Sequence, residues 1–556
     1  MGNPNHHVII HGHFYQPPRE NPWLGVIEPQ PSAHPFPDWN QRIASECYGP
    51  LTRSPVRDAQ GRVTDLFNCF AHLSFNVGPT LFSWMNEHRP ELIERIQAAD
   101  HLHAAARGGH GGALAQPYSH PILPLSSARD RHTQILWGLA EYEHRFGRPA
   151  AGLWLPECAV DRDTIRVLID HGIRFLVLSP HQASAVRPFH EEAWQDVSVG
   201  GPDVRLPYRV YEVDGAGTTH FDRFLDVFFY DRELSMRISF DHLLDDPEHF
   251  YQLLLGRFDA DASLPQVVVL ATDGEIYGHH EPAGHEILAR FFAEIAPAHG
   301  IHVSNCEQYL AENPPAAEAR LWFGPDERGS SWSCSHGVGR WWRDCGCQEG
   351  GPREWTQAWR TPLRQALDDL AGRVNAVFAS KGGRLLHDPW EARDDYIRVL
   401  LQPDAATRNA FLQHHARGDL SVEDRTRAWE LLEASRNAML MYTSCGWYFA
   451  DLAGIEAVQN LGYAVRAAEL IRPYADADPL QRLQQHLEGV SSNQPGKGTG
   501  ADILRQDVLP ARYDPEAIAA THVLARLLDL AEPSYAVGVA VLEEDRRATT
   551  GPHRIS

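Results

Sequence analysis

Across residues 1–312, short apolar runs that end in polar residues alternate with amphipathic stretches. No other feature restricts the fold as much, because this order marks repeated strand-helix units and a mainly parallel sheet. Val8–Ile10 leads to His11 and His13, Leu102–Ala106 to a glycine-rich loop, and Leu153–Leu155 to Glu157. Phe175–Leu178 leads to His181, Leu225–Phe229 to Asp231, and Val267–Ala271 to Asp273. Between them, Leu81–Ile96, Thr133–Phe146, Asp163–His171 and His285–Ala296 repeat apolar residues three and four apart, which predicts helices packed on the sheet. Side chains at the C-terminal ends of parallel strands project into the mouth of a barrel, so this α/β pattern predicts a barrel with its chemistry at the mouth.

Two of these strand ends carry acids. Glu157 follows Trp154-Leu155-Pro156, and Asp273 opens Asp273-Gly274-Glu275. Glycosidic cleavage with retention needs one carboxyl to protonate the departing oxygen and a second carboxylate to attack the anomeric carbon, roles open to this pair. Either acid alone reads as well as a helix-start or turn residue. Glu275 competes with Asp273, because residues two apart in an extended segment face the same way, and Gly274 permits a bend that separates them.

His11-Gly12-His13 has two functional readings, a metal held by alternating histidines or hydrogen bonds to sugar hydroxyls, beside the plain one of satisfied loop histidines. Arg107-Gly108-Gly109-His110-Gly111-Gly112 allows close backbone approach to a ligand but lacks the phosphate-binding spacing. Cys334, His336, Cys345 and Cys347 offer four zinc or iron ligands without the usual two-residue knuckle; the competing reading is reduced thiols in a packed loop. Their neighbours Trp332, Arg340, Trp341 and Trp342 suit a sugar subsite equally well.

Asn313-Pro314-Pro315 marks a break. The following segment, 313–352, is rich in Trp, Gly and Cys, and residues 353–556 form a mainly α-helical region with helices predicted over Pro362–Ser380, Asp424–Met441, Gly454–Ile471 and Pro515–Leu530. Ser491–Gly500 has the composition of a mobile loop. The net charge of −23 is spread along the chain, which argues against nucleic acid or an anionic membrane as partner and leaves a neutral oligo- or polysaccharide compatible. No apolar run approaches the roughly 20 residues of a membrane helix. The N-terminus does not read as a secretory signal, and the eight cysteines are unevenly spaced, so the expected compartment is the cytoplasm.

His11-Gly12-His13-Phe14-Tyr15-Gln16-Pro17, Gln116-Pro117-Tyr118-Ser119-His120-Pro121, Trp154-Leu155-Pro156-Glu157 and Thr272-Asp273-Gly274-Glu275 together resemble glycoside hydrolase family 57, in the family's order. The resemblance implies an incomplete (β/α)7 barrel followed by helices, a retaining mechanism on α-linked glucans or related glycosides, and no required cofactor. It makes Glu157 the nucleophile and Asp273 the general acid/base, puts His13, His110 and His120 at the sugar, and puts the Trp332–Cys347 segment, with Trp332, His336 and Trp341, in the last, variable substrate-binding region; His11, Trp154 and Glu275 complete the expected substrate-binding set. In the commoner form of the first motif Gln-Pro follows the histidine directly, whereas here Phe14 and Tyr15 intervene. Two rivals are a metal-dependent sugar hydrolase or deacetylase built on His11 and His13, and a glycan-binding protein without turnover.

Overall fold

The computed structural model describes residues 6–259, 262, 265–513 and 520; the helix expected over Pro515–Leu530 lies almost entirely outside them. A ring of seven extended segments can be followed around the N-terminal part. His6–Phe14 runs parallel to Gln266–Asp273 on one side and to Ser74–Val77 on the other. From there parallel bridges join Phe75 to Ala113, Ala115 to Leu153 and Gly152 to Phe175, and Phe175–Leu178 pairs in parallel with the end of Thr219–Phe229. The backbone amide of Asp231 donates to the Val269 carbonyl at 2.7 Å, and so joins the end of Thr219–Phe229 back to Gln266–Asp273. Two of the seven segments are only short bridges, and this is the incomplete (β/α)7 barrel.

Sequence chemistry explains the parts. Val8-Ile9-Ile10 and Val267-Val268-Val269-Leu270 are β-rich and apolar on both faces because barrel strands are buried on both, and all seven are at most 1 % exposed. The outer helices carry their own stops: Ser127 caps Ala128–Phe146, which ends in left-handed Gly147, and Asp161 caps Arg162–Asp170. The stretch Leu81–Ile96 is two helices, Pro79–His88 and Pro90–Ala106, because Pro90 cannot continue the first.

Leu102–Ala106 is the clearest departure from expectation, being the last turns of that second helix with Leu102 67 % exposed. Apolar residues at 92, 93, 96 and 99 carry the helical period straight into it. The ring position is taken instead by residues 113–115, a stretch too short to show a strand period. Past Asn313, Ala317–Leu321 returns to pair with Ala183–Pro188 in a side sheet.

Helices Arg360–Val377, Val422–Leu440 and Ile455–Ile471 form a second core, which Cys334, Val338 and Trp341 also enter. Ser491–Gly500 is held, contrary to its composition: Ser491 bridges Thr499, Ser492 Oγ donates to Asp451 at 2.7 Å, and the Asn493 side chain donates to the Thr356 and Ala450 carbonyls.

Candidate active site

A cavity of about 1830 Å³ opens at the C-terminal ends of the barrel strands. Glu157, Asp273 and Glu275 all line it, with His13, Tyr15, His120, Trp332, Ser333, Arg340 and Tyr448.

Glu157 sits in a strained turn, with φ of +57° at Glu157 and +50° at Cys158. Left-handed geometry costs a residue with a Cβ roughly 1–2 kcal/mol, so the surroundings must hold it. They do: the Trp332 amide donates to the Glu157 carbonyl at 2.9 Å and Gln182 Nε2 to the Cys158 carbonyl at 2.8 Å. Both side-chain donors converge on one oxygen, Trp332 Nε1 at 3.0 Å and Ser333 Oγ at 2.6 Å from Oε2, which leaves Oε1 for other work. Burial pushes the Glu157 carboxyl above its usual range, while these donors and the Arg340 charge oppose the shift.

Asp273 ends a regular strand, level with His13 in the register. Its carboxylate faces the cavity and accepts no hydrogen bond from any described residue. Its side chain is exposed to the cavity, yet desolvation by the surrounding walls, then the charges of Glu275 and Glu157, push its pKa up to about 8. Glu275 differs although it is only two residues away. Its Oε1 accepts from the Tyr48 hydroxyl at 2.5 Å and the Tyr15 amide at 3.1 Å, donors that favour the anion against a burial effect that lifts its pKa to about 7. Gly274 between them is required by space and not by a left-handed bend, since a Cβ there would lie 2.3 Å from the Phe14 ring.

A chain of uncharged histidines backs the acids. His11 is sealed in, with Nδ1 on Ser74 Oγ at 3.0 Å and Nε2 on Asn76 at 3.1 Å. His13 bonds Asn76 and, 3.1 Å away through Nε2, His120, whose Nδ1 meets Ser444 Oγ at 2.6 Å. Tyr15 stacks on His120 with 3.8 Å between centroids. Burial, then mutual charge, holds His11 at about 3, while burial holds His13 at about 4 and His120 well below its usual range, so at neutral pH these rings are neutral donors or acceptors.

The site therefore gathers six of the expected residues: Glu157, Asp273, Glu275, His13, His120 and Trp332. Five fall elsewhere. His11 has both ring nitrogens engaged and is closed off from the cavity, and Trp154 is packed behind it at 4.4 Å between centroids, so neither reaches a ligand. His11 thus has no free nitrogen for a metal, and neither grouping of three or more metal-type ligands among the described residues includes His11 or His13. Trp341 is buried in the helical core, and His336 turns outward beside Cys347. His110 lies at the opposite end of the barrel, near Glu307 at 3.3 Å, because residues 110–112 precede the 113–115 segment at its N-terminal side. Gly111 and Gly112 after it are packed against protein, since a Cβ on the first would strike the Arg148 guanidinium and one on the second the Leu73 carbonyl.

Tyr48, Ser333 and Ser444 were missed by sequence reasoning. Ser444 and the cavity-lining Tyr448 come from residues 443–449, where the helical pattern breaks into Thr-Ser-Cys-Gly-Trp-Tyr-Phe. That aromatic interruption was the available signal.

A family model described as glycosyl hydrolase family 57 matches residues 12–321, and one described as a domain of unknown function (DUF3536) matches residues 355–551. An alpha-amylase from Pyrococcus horikoshii is 25% identical over 268 residues, 47% of this chain and 37% of that protein. A 4-alpha-glucanotransferase from Thermococcus litoralis is 26% identical over 274 residues, 48% of this chain and 36% of that protein. The chain thus matches well under half the length of these relatives. The crystal structure of an exo-type maltose-forming amylase from Pyrococcus sp. ST04 shares the fold, with a TM-score of 0.62 at 16% identity over 94% of this chain and 92% of the other.

Proposed function

This chain belongs to glycosyl hydrolase family 57, and from that premise we propose that it is a retaining glycoside hydrolase or glycosyl-transferring enzyme acting on α-linked glucans by double displacement. Glu157 serves as nucleophile and Asp273 as general acid and base. One observation carries the assignment: on a single cavity, one carboxyl is oriented through one oxygen by two donors while the other accepts no hydrogen bond from the described residues and is lifted to about pKa 8.

In the first step Asp273 gives its proton to the glycosidic oxygen as the bond to the anomeric carbon breaks, and Glu157 Oε1 forms an ester to that carbon. In the second, Asp273 as carboxylate takes a proton from water or a sugar hydroxyl, whose oxygen attacks the same carbon and frees Glu157. The acceptor decides between hydrolysis and transfer. Neutral His13 and His120 line the cavity beside the acids and are held there by Asn76, Ser444 and each other, and Tyr15, Trp332 and Tyr448 offer flat faces for pyranose rings. The amylase and glucanotransferase relatives support an α-glucan substrate.

The reading includes a cytoplasmic location, supported by eight free cysteines. No helix among the described residues is long and apolar enough to cross a membrane. Trapping with a 2-deoxy-2-fluoro glycosyl fluoride and peptide mapping is the direct test. The label is expected on Glu157, and a label on another residue removes the nucleophile assignment.

A further inference from the structure

The segment that supplies Trp332 and Ser333 to Glu157 also folds three thiols and an imidazole around one point. The ligand atoms of Cys334, His336, Cys345 and Cys347 all lie within 4.8 Å of one another. Cys334 Sγ is 3.8 Å from Cys345 Sγ and 3.9 Å from Cys347 Sγ, and Cys347 Sγ is 3.4 Å from His336 Nδ1. A tetrahedral zinc ion with Zn–S of about 2.3 Å and Zn–N of about 2.0–2.1 Å has S···S edges of about 3.8 Å and S···N edges of about 3.6 Å. The observed separations match those edges, and they are far from the roughly 2.05 Å of a disulfide.

Local backbone supports the same geometry. The ligands come as two pairs, Cys334-Ser335-His336 and Cys345-Gly346-Cys347, and the chain turns at Gly337 and Gly346, with φ of +78° and +76°. Glycine adopts these angles without strain. Gly339 faces the site closely, since a Cβ there would lie 3.2 Å from Cys345 Cβ.

Charge supplies an independent argument. Arg340 and Arg360 are 5% and 0% exposed, and among the described residues both donate to backbone carbonyls and pair with no carboxylate. Arg340 donates to the carbonyls of Tyr448 at 2.9 Å and Ser333 at 3.0 Å, and Arg360 to the carbonyl of Cys347 at 2.7 Å. Buried cations need a counter-charge nearby. Protonated thiols supply none, whereas three thiolates and a neutral imidazole around a divalent ion carry a net charge of about −1.

We propose that Cys334, His336, Cys345 and Cys347 hold one structural zinc ion. The ion closes the 334–347 segment into a loop whose preceding residues, Trp332 and Ser333, orient Glu157. His336 binds through Nδ1 and leaves Nε2 at the surface. The site stands independently of the glycosidase reading.

The test is elemental analysis of the full chain purified without chelator or added metal. One zinc per chain is expected, lost in Cys345→Ser and kept in His414→Ala, which disrupts the other grouping of metal-type ligands, Asp395, His414 and His415. Should Cys345→Ser not fold, cobalt exchanged into the unaltered chain is expected to show tetrahedral visible bands with thiolate charge transfer. A metal-free folded chain with these thiols freely titratable overturns the proposal. So does a Cys334–Cys345 disulfide, an octahedral cobalt spectrum, or zinc that survives Cys345→Ser and leaves with His414→Ala.

Discussion

At Glu157 the chain abandons regular geometry, with two successive left-handed residues held by hydrogen bonds from distant segments, whereas Asp273 closes an ordinary parallel strand and its carboxylate accepts no hydrogen bond from any described residue. The contrast matches the two tasks. A nucleophile gains from being fixed in direction, and the donors on Oε2 favour its anion against the effect of burial while fixing it. A proton carrier must exist in both charge states, so donors that favour one state would hinder it. Glu275 shows the alternative outcome two residues away, where Tyr48 and the Tyr15 amide commit the carboxylate to structure.

The hardest way to break this comparison is to remove the proton carrier. Asp273→Asn is expected to lower kcat/KM on α-glucans by about 10²–10⁴, the usual contribution of general acid catalysis, and to leave kcat/KM on aryl glycosides with good leaving groups nearly unchanged. Equal losses on both substrates would contradict the assignment. In the parent enzyme the acid must hold its proton, so kcat/KM on glucans should fall as pH rises through about 8, and Asp273→Asn should lose that limb.

A smaller effect is expected at the fixed end. Ser333→Ala removes a hydrogen bond to a charged group, worth about 1.5–3 kcal/mol, which predicts a loss of roughly 10- to 100-fold. Because the lost donor favoured the anion, the acid limb of the kcat/KM profile should move to higher pH. An unmoved limb would show that Trp332 alone sets the state of Glu157.

Tyr48→Phe should give the smallest change. With one donor gone, Glu275 binds its proton more readily and carries less charge at neutral pH. Its repulsion of the Asp273 anion weakens, the Asp273 pKa falls, and the basic limb shifts to lower pH. An upward shift would mean that Glu275 does not act on Asp273 through charge.

Much of the catalytic end was readable from residue order, because strand period and the acids that end it are local properties. Val267–Asp273 announces both its burial and its exit toward the mouth. The histidines were harder. His11 and His13 share a face of their strand, but in a barrel that face runs from the sealed interior to the open mouth, and only His13 is near enough to the end to line the cavity. His110 was misplaced for a related reason: a loop before a strand and a loop after one look alike in composition, yet they lie at opposite ends of the barrel. The segment 113–115, too short to display a period, hid which was which.

Residue order alone determined that apolar strands alternate with helices, that Glu157 and Asp273 stand at strand ends, and that thiols and an imidazole crowd near residue 340, since each follows from neighbours close along the chain. Only the folded chain decided which acid is tied and which is free, because those partners arrive from far away: Ser333 reaches Glu157 across 176 positions and Tyr48 reaches Glu275 across 227. It likewise brought Ser444 to His120 across 324. Hydrogen bonds and desolvation act over a few ångströms whatever the separation along the chain, and so the proton affinities at this site belong to the packing of the whole molecule.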